Sequence, residues 1–176
     1  MTNNSNGSLQ KFQILEKQME LMQTPYDIAS KIIDYIKPQI LESDEVLEPF
    51  KGYGNIYNQI PNQYKSFCST DDGIDFFEYN KQVDWAITNP PFQILENGQP
   101  INAFIKIIER LMWVCRRGFF LLINHKLWSS LTVKRLKDWS NDSWVISKIK
   151  IFEIKQWYGR YYLVKFEKNG RSLLDF

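Results

Sequence analysis

The stretch "DWAITNPPF", Asp84 to Phe92, decides how this chain is read. Trp85-Ala86-Ile87-Thr88 is a short run of aromatic, small and β-branched residues, the composition of a strand buried on both faces. Asn89-Pro90-Pro91 then stops it, because proline has no N–H to give a sheet ladder and fixes its own φ. Strands buried on both faces belong to parallel sheets covered by helices, and such sheets bind ligands beyond the carboxyl ends of their strands. A stiffened turn with an amide at its head (Asn89) and a ring at its foot (Phe92) therefore falls where a ligand would lie. Phe92 has no obvious core to join, so its ring is expected to serve that ligand.

Working outward from this strand, the pattern alternates. Upstream, "EVLEPF" reads as a short strand, "KGYGN" as a glycine-containing turn, "IYNQI" as one or two helical turns, and "YKSFCST" as a second strand before the acidic turn Asp71-Asp72-Gly73. Further back, Thr24 is expected to cap a helix with Pro25 in its first turn and Ile28, Ile32, Ile33 and Ile36 on its apolar face, ended by Pro38. Leu9 to Met22 carries apolar residues at helical spacing, and residues 1–8 read as a disordered tail. Downstream, Gln93 to Gln99 is polar and holds Gly98, which reads as a mobile loop. Pro100 to Arg117 has the spacing of an amphipathic helix, "GFFLLIN" of a buried strand, and Leu131 to Trp139 of another helix. "SWVISKIKIFEI" and "GRYYLVKFE", joined by the short aromatic loop Lys155–Tyr158, read as an antiparallel hairpin. The sum is an α/β fold: a mostly parallel sheet flanked by helices, with a C-terminal antiparallel hairpin.

Composition narrows the function. At 176 residues the chain suits one domain, and its 44% hydrophobic content suits a packed core. The net charge of +2 permits nucleic-acid binding without requiring it. One histidine, His125, argues against a histidine-based metal site or hydrolytic triad. Cys68 and Cys115 sit in apolar stretches without metal-ligand spacing and read as reduced core residues. No apolar run is of membrane length, and the start MTNNSNGS lacks the apolar core of a secretion signal, so a cytoplasmic protein (nuclear in a eukaryote) is expected.

Three unusual segments, EPFKGYG, STDDG and NPPF, all fall at carboxyl ends of strands. Gly52 and Gly54 allow a tight turn and close backbone approach to a ligand, and Glu48 can accept hydrogen bonds from a cationic or hydroxylated group. An ordinary strand-to-helix turn would have the same glycines. In NPPF, Pro90 offers a carbonyl and the Asn89 side chain a second acceptor. Two acceptors can take both hydrogens of one NH2 group, favouring the pyramidal nitrogen whose lone pair can attack, and Phe92 can stack on the attached flat group.

EPFKGYG followed by NPPF resembles the amino-methyltransferases, which use S-adenosylmethionine to methylate exocyclic amino groups or amides. The order, with Gln23-Thr24-Pro25-Tyr26 ahead of the glycine motif, resembles one subgroup of that family over about residues 23–167. The resemblance implies a class I methyltransferase Rossmann-like fold over 9–176, with no separate target-recognition domain. It implies that Thr24, Pro25, Glu48, Gly52 and Gly54 line the methionine part of S-adenosylmethionine, and that Asp75 and Phe76 contact its adenine. The family commonly has a ribose-binding acid where this chain has Ser69, so Asp71 or Asp72 is the acid on offer. Asn89, Pro90, Pro91 and Phe92 would hold the target amino group, and asparagine in first place favours adenine N6, in DNA or RNA. The same motif occurs in enzymes acting on a protein glutamine amide, and a non-catalytic nucleic-acid-binding subunit is the third reading. Target recognition would then rest on shape or on a partner subunit, with no membrane involved. Lys126, Trp128, Lys134, Arg135, Lys137, Trp157, Tyr158 and Arg160 interleave charge with aromatic surface, a mixture suited to nucleic acid as well as to solvated faces and core.

Overall fold

Tyr26–Ile36 form the first helix, α1, in a computed structural model that describes residues 23–96 and 99–175. The expected tail over 1–8 and helix over 9–22 lie outside the described residues, as does Gly98. Pro25, not Thr24, stands at the N-cap of α1, and no side chain caps it. Thr24 is buried instead, its carbonyl accepting from Asn55 Nδ2 at 2.8 Å. Helix α1 stops at Ile36, and Pro38 falls in the single 3-10 turn that follows.

Eight strands follow among the described residues: β1 (Val46–Glu48), β2 (Lys65–Phe67), β3 (Val83–Thr88), β4 (Ile94–Glu96), β5 (Gln99–Ile101), β6 (Cys115–Asn124), β7 (Trp144–Phe152) and β8 (Tyr161–Lys168). Helices α2 (Phe104–Val114), α3 (His125–Trp128) and α4 (Val133–Asn141) lie between them. Six strands make one sheet in the order β2-β1-β3-β6-β8-β7, parallel from β2 through β6, with β8 antiparallel to both of its neighbours. The C-terminal hairpin is β7–β8.

Strand β6 shows why its sequence is continuously apolar. Phe119 and Leu121 join Ile107, Ile108 and Leu111 of α2 and Leu136 and Trp139 of α4 on one face of the sheet. Phe120 and Leu122 join Ile28, Ile32 and Ile36 of α1 on the other. Each such side chain contributes about 1.5–3 kcal/mol by leaving water, so the sheet is held from both sides.

Two expectations shift. The helix expected over Pro100–Arg117 is confined to Phe104–Val114. Pro100 and Ile101 belong to β5, while Cys115, Arg116 and Arg117 open β6, where extended backbone carries the two guanidinium groups to Asp84, Glu45 and Asp44. The segment read as a mobile loop, Gln93 to Gln99, contains strand β4 and the first residue of β5, which pair antiparallel with Glu96 opposite Gln99. Among the described residues no helix is long and apolar enough to cross a membrane.

Candidate active site

The site begins where β1 and β3 end side by side. They pair in parallel, Val46 with Trp85 and Leu47 with Ala86, so EPFKGYG and NPPF leave the sheet along one edge.

Glu48, the last residue of β1, is 2% exposed. Burial pushes its carboxyl up to about 9, against the opposing pull of the Tyr57 N–H and the Lys51 ammonium. One of its oxygens, Oε2, is buried without a hydrogen-bond partner. A buried acceptor left so is costly, and a cationic or hydrogen-bond-donating ligand would satisfy it.

The glycine turn follows. Gly52 has φ +49° and Gly54 φ +79°, left-handed backbone that glycine adopts without strain. A Cβ on Gly52 would lie 2.2 Å from Gln23 Oε1, which accepts from the Tyr53 N–H at 3.1 Å. Gln23 thus lies across the turn, and Asn55 and Gln59 tie the turn back to the carbonyls of Thr24 and Tyr26 at 2.8 and 3.1 Å. The Gln23–Tyr26 segment and the glycine motif form one strapped unit, with Pro25 half-buried beside buried Thr24.

After β2, Thr70–Asp72 form a 3-10 turn closed by Gly73. Asp72 accepts from Lys51 Nζ at 3.1 Å, and the ammonium also sits 3.7 Å from the Phe67 ring centroid. The Lys51 hydrogen bond, helped by the Ser69 hydroxyl, holds the Asp72 carboxyl below its ordinary value. Of the two acids on offer, Asp72 is therefore joined to the glycine turn by an ion pair, while Asp71 is exposed beside it. Asp75 is exposed and accepts from the Phe77 N–H at 2.9 Å. Phe76 is 1% exposed and packs edge-on against Phe50, ring centroids 5.3 Å apart, so its ring belongs to the core under this rim.

At the end of β3, Thr88 is buried with its hydroxyl unpartnered, Asn89 is half-buried and Pro90 buried, with Pro91 half-buried after it. Phe92 corrects an expectation: its ring is half-buried and packs against the larger core cluster. Ile94 of β4 packs against the same cluster, of which Phe104 of α2 is a buried member. The contacts that sequence reasoning missed are Gln23 over Gly52, the Lys51–Asp72 bridge and the buried Thr88 hydroxyl. None is periodic or motif-like. The one available signal was Lys51, a cation just ahead of the two glycines with acids some twenty residues on.

The strand order puts the one reversed strand, β8, between β6 and β7, and known structures share this plan. A candidate class I S-adenosylmethionine-dependent methyltransferase from Listeria monocytogenes superposes with a TM-score of 0.58 at 16% identity, covering 87% of this chain and 62% of its own. The fold is that of the class I methyltransferases. A candidate RNA methyltransferase from Pyrococcus horikoshii gives a TM-score of 0.55 at 14% identity, covering 83% of this chain and 86% of that one. The magnesium protoporphyrin IX methyltransferase of Synechocystis, solved with S-adenosylmethionine bound, gives 0.57 at 8% identity over 81% and 79%. No protein-family model matches the sequence, and comparison with curated proteins likewise finds no match.

Proposed function

We propose that the chain is an S-adenosylmethionine-dependent methyltransferase acting on the N6 amino group of adenine in DNA or RNA. The observation that carries this reading is Asn89-Pro90-Pro91-Phe92 leaving β3 beside the buried, half-satisfied Glu48 and its glycine turn on β1.

The residues present suit the cofactor. Glu48 would take its ammonium, Gly52 and Gly54 would let the backbone approach its methionine part beside Thr24 and Pro25, and Asp71 or Asp72 would receive the ribose near Asp75. Bound S-adenosylmethionine supplies an electrophilic methyl group on a sulfonium. The chain's own work is then positioning. The Pro90 carbonyl and the Asn89 side-chain oxygen accept the two amino hydrogens, turning the nitrogen lone pair out of conjugation, and Phe92 and Pro91 border the flat base. Transfer would exchange the sulfonium C–S bond for an N–C bond, with one amino proton passing to solvent. A base reaches such a rim only from single-stranded or flipped-out nucleic acid. The fold shared with the Pyrococcus horikoshii protein supports RNA as one polymer to offer.

The test is transfer from methyl-labelled S-adenosylmethionine to single-stranded DNA, duplex DNA, RNA and total protein in parallel, with digestion to nucleosides or amino acids. Label in N6-methyladenine, reduced about a hundredfold in Asn89→Ala, is the expected result. Label in glutamine would replace the substrate, and an undiminished rate in Asn89→Ala would overturn the mechanism.

A further inference from the structure

The carboxyl edge of the sheet carries one more built surface, beyond the segments already assigned. Strand β7 ends at Phe152 and β8 begins at Tyr161, so residues 153–160 leave and rejoin the sheet on the same edge as NPPF. Tyr161 pairs with Asn124, which sets this loop beside His125 and Lys126 at the end of β6. Strand β6 in turn pairs with β3, Leu121 with Thr88. From β3 to β7 is three strand spacings, about 14 Å, within reach of a few nucleotides.

The loop is anchored at its base and bare at its tip. Ile154 is buried and its carbonyl accepts from the Trp157 N–H at 3.0 Å. The Trp157 ring lies 4.7 Å from that of Tyr161. Gly159, with φ +92°, turns the chain against the His125 ring, where an added Cβ would lie 3.4 Å from Nδ1. Between these anchors Tyr158 is 96% exposed. In the same loop Lys155 and Arg160 are exposed, with Glu153 the one acid of residues 153–160, and His125 and Lys126 are exposed at the end of β6. An exposed aromatic ring on an anchored loop that also carries cations combines the two elements of single-strand binding, a stacking face and backbone charge. An acidic polypeptide would use the charges but leave the ring without a flat partner.

We propose that the 153–160 loop, with His125 and Lys126, binds single-stranded nucleic acid, Tyr158 stacking on a base while Lys155, Arg160 and Lys126 face phosphates. This surface extends the reading of the site as a nucleic-acid methyltransferase and rests on it for its substrate class. The test needs no methyl transfer. Fluorescence anisotropy of labelled DNA and RNA strands of about twelve nucleotides, and of the matching duplex, is measured without S-adenosylmethionine for the wild type, Tyr158→Ala, Tyr158→Phe and Lys155→Gln/Arg160→Gln. Strands bind the wild type in preference to duplex, Tyr158→Ala weakens this about tenfold, Tyr158→Phe restores it, and the double variant flattens the salt dependence. The proposal is overturned if the wild type binds no strand, if it binds duplex as tightly as strands, or if Tyr158→Ala binds as well as the wild type. Tyr158-dependent strand binding in a protein that transfers no methyl group supports the surface and overturns only the catalytic reading.

Discussion

Glu48 shows how much chemistry one residue can carry when burial outweighs the contacts that oppose it. Its carboxyl titrates near 9 in the fold against an ordinary 4.5, so between those values the folded chain holds a proton that the unfolded chain has released. The contribution of Glu48 to stability is therefore greatest below the lower value, falls as pH climbs through the window, and levels off above the upper one. Urea midpoints at about pH 5.5 and about pH 8.5 should show this fall in the wild type and a much smaller one in Glu48→Gln. A cationic ligand reverses the preference, because the charged carboxylate then has a partner. Binding of S-adenosylmethionine near neutral pH should release a proton, read as a buffer-dependent enthalpy that Glu48→Gln lacks. The residue type and its strand-end position were legible in the sequence. Its protonation was not, because it depends on how completely the chain closes over the end of β1.

At the scale of elements, the amino edge of the sheet is tied by charge rather than by motif. Asp44, just before β1, accepts from Arg117 Nη1 of β6 at 2.8 and 2.9 Å, from the Trp85 indole N–H of β3 at 2.9 Å, and from the Leu41 N–H at 2.8 Å. Removing that carboxylate strands the buried Trp85 indole N–H and unpairs the partly exposed Arg117, and Asp44→Ala should cost about 2 kcal/mol in chemical denaturation. Asp44→Asn, which keeps an acceptor oxygen, should lose less. The strands of this sheet were readable because their apolar runs match burial on both faces, as in β3 and β6. The β4–β5 pair was not, although Glu96 and Gln99 bracket Asn97-Gly98, a dipeptide typical of two-residue hairpins. Polar composition outweighed that signal. The overlong helix over 100–117 has a similar cause: Cys115 fits a helical apolar stripe and a buried strand equally well.

Over the whole molecule, the sheet divides the interior into two apolar clusters that share no residue. Cys68 and Cys115 both lie in the cluster opposite α1, at 1% and 2% exposure. Burial pushes the Cys68 thiol up to about 11 and raises that of Cys115 as well. Neither should react with a thiol reagent until the domain opens, so labelling of the native protein should be slow and should accelerate for both sites under the same denaturant. The fold class was legible because alternation of strands and helices leaves few topologies open. The rim of the site was only half legible: its motifs are contiguous in sequence, whereas Gln23 meets Gly52 and Lys51 meets Asp72 only through the turns that join them.

The reversed strand has a consequence for how the chain is made. Among the described residues strand β7 pairs only with β8, and β8 fills the place between β7 and β6. As the polypeptide emerges from a ribosome, β1, β2, β3 and β6 can assemble in the order of their synthesis, but β7 must wait for the strand made after it. A message cut short before Tyr161 would thus lose two strands' worth of sheet and uncover the β6 edge. The nascent protein stays exposed to proteases and chaperones until that strand arrives.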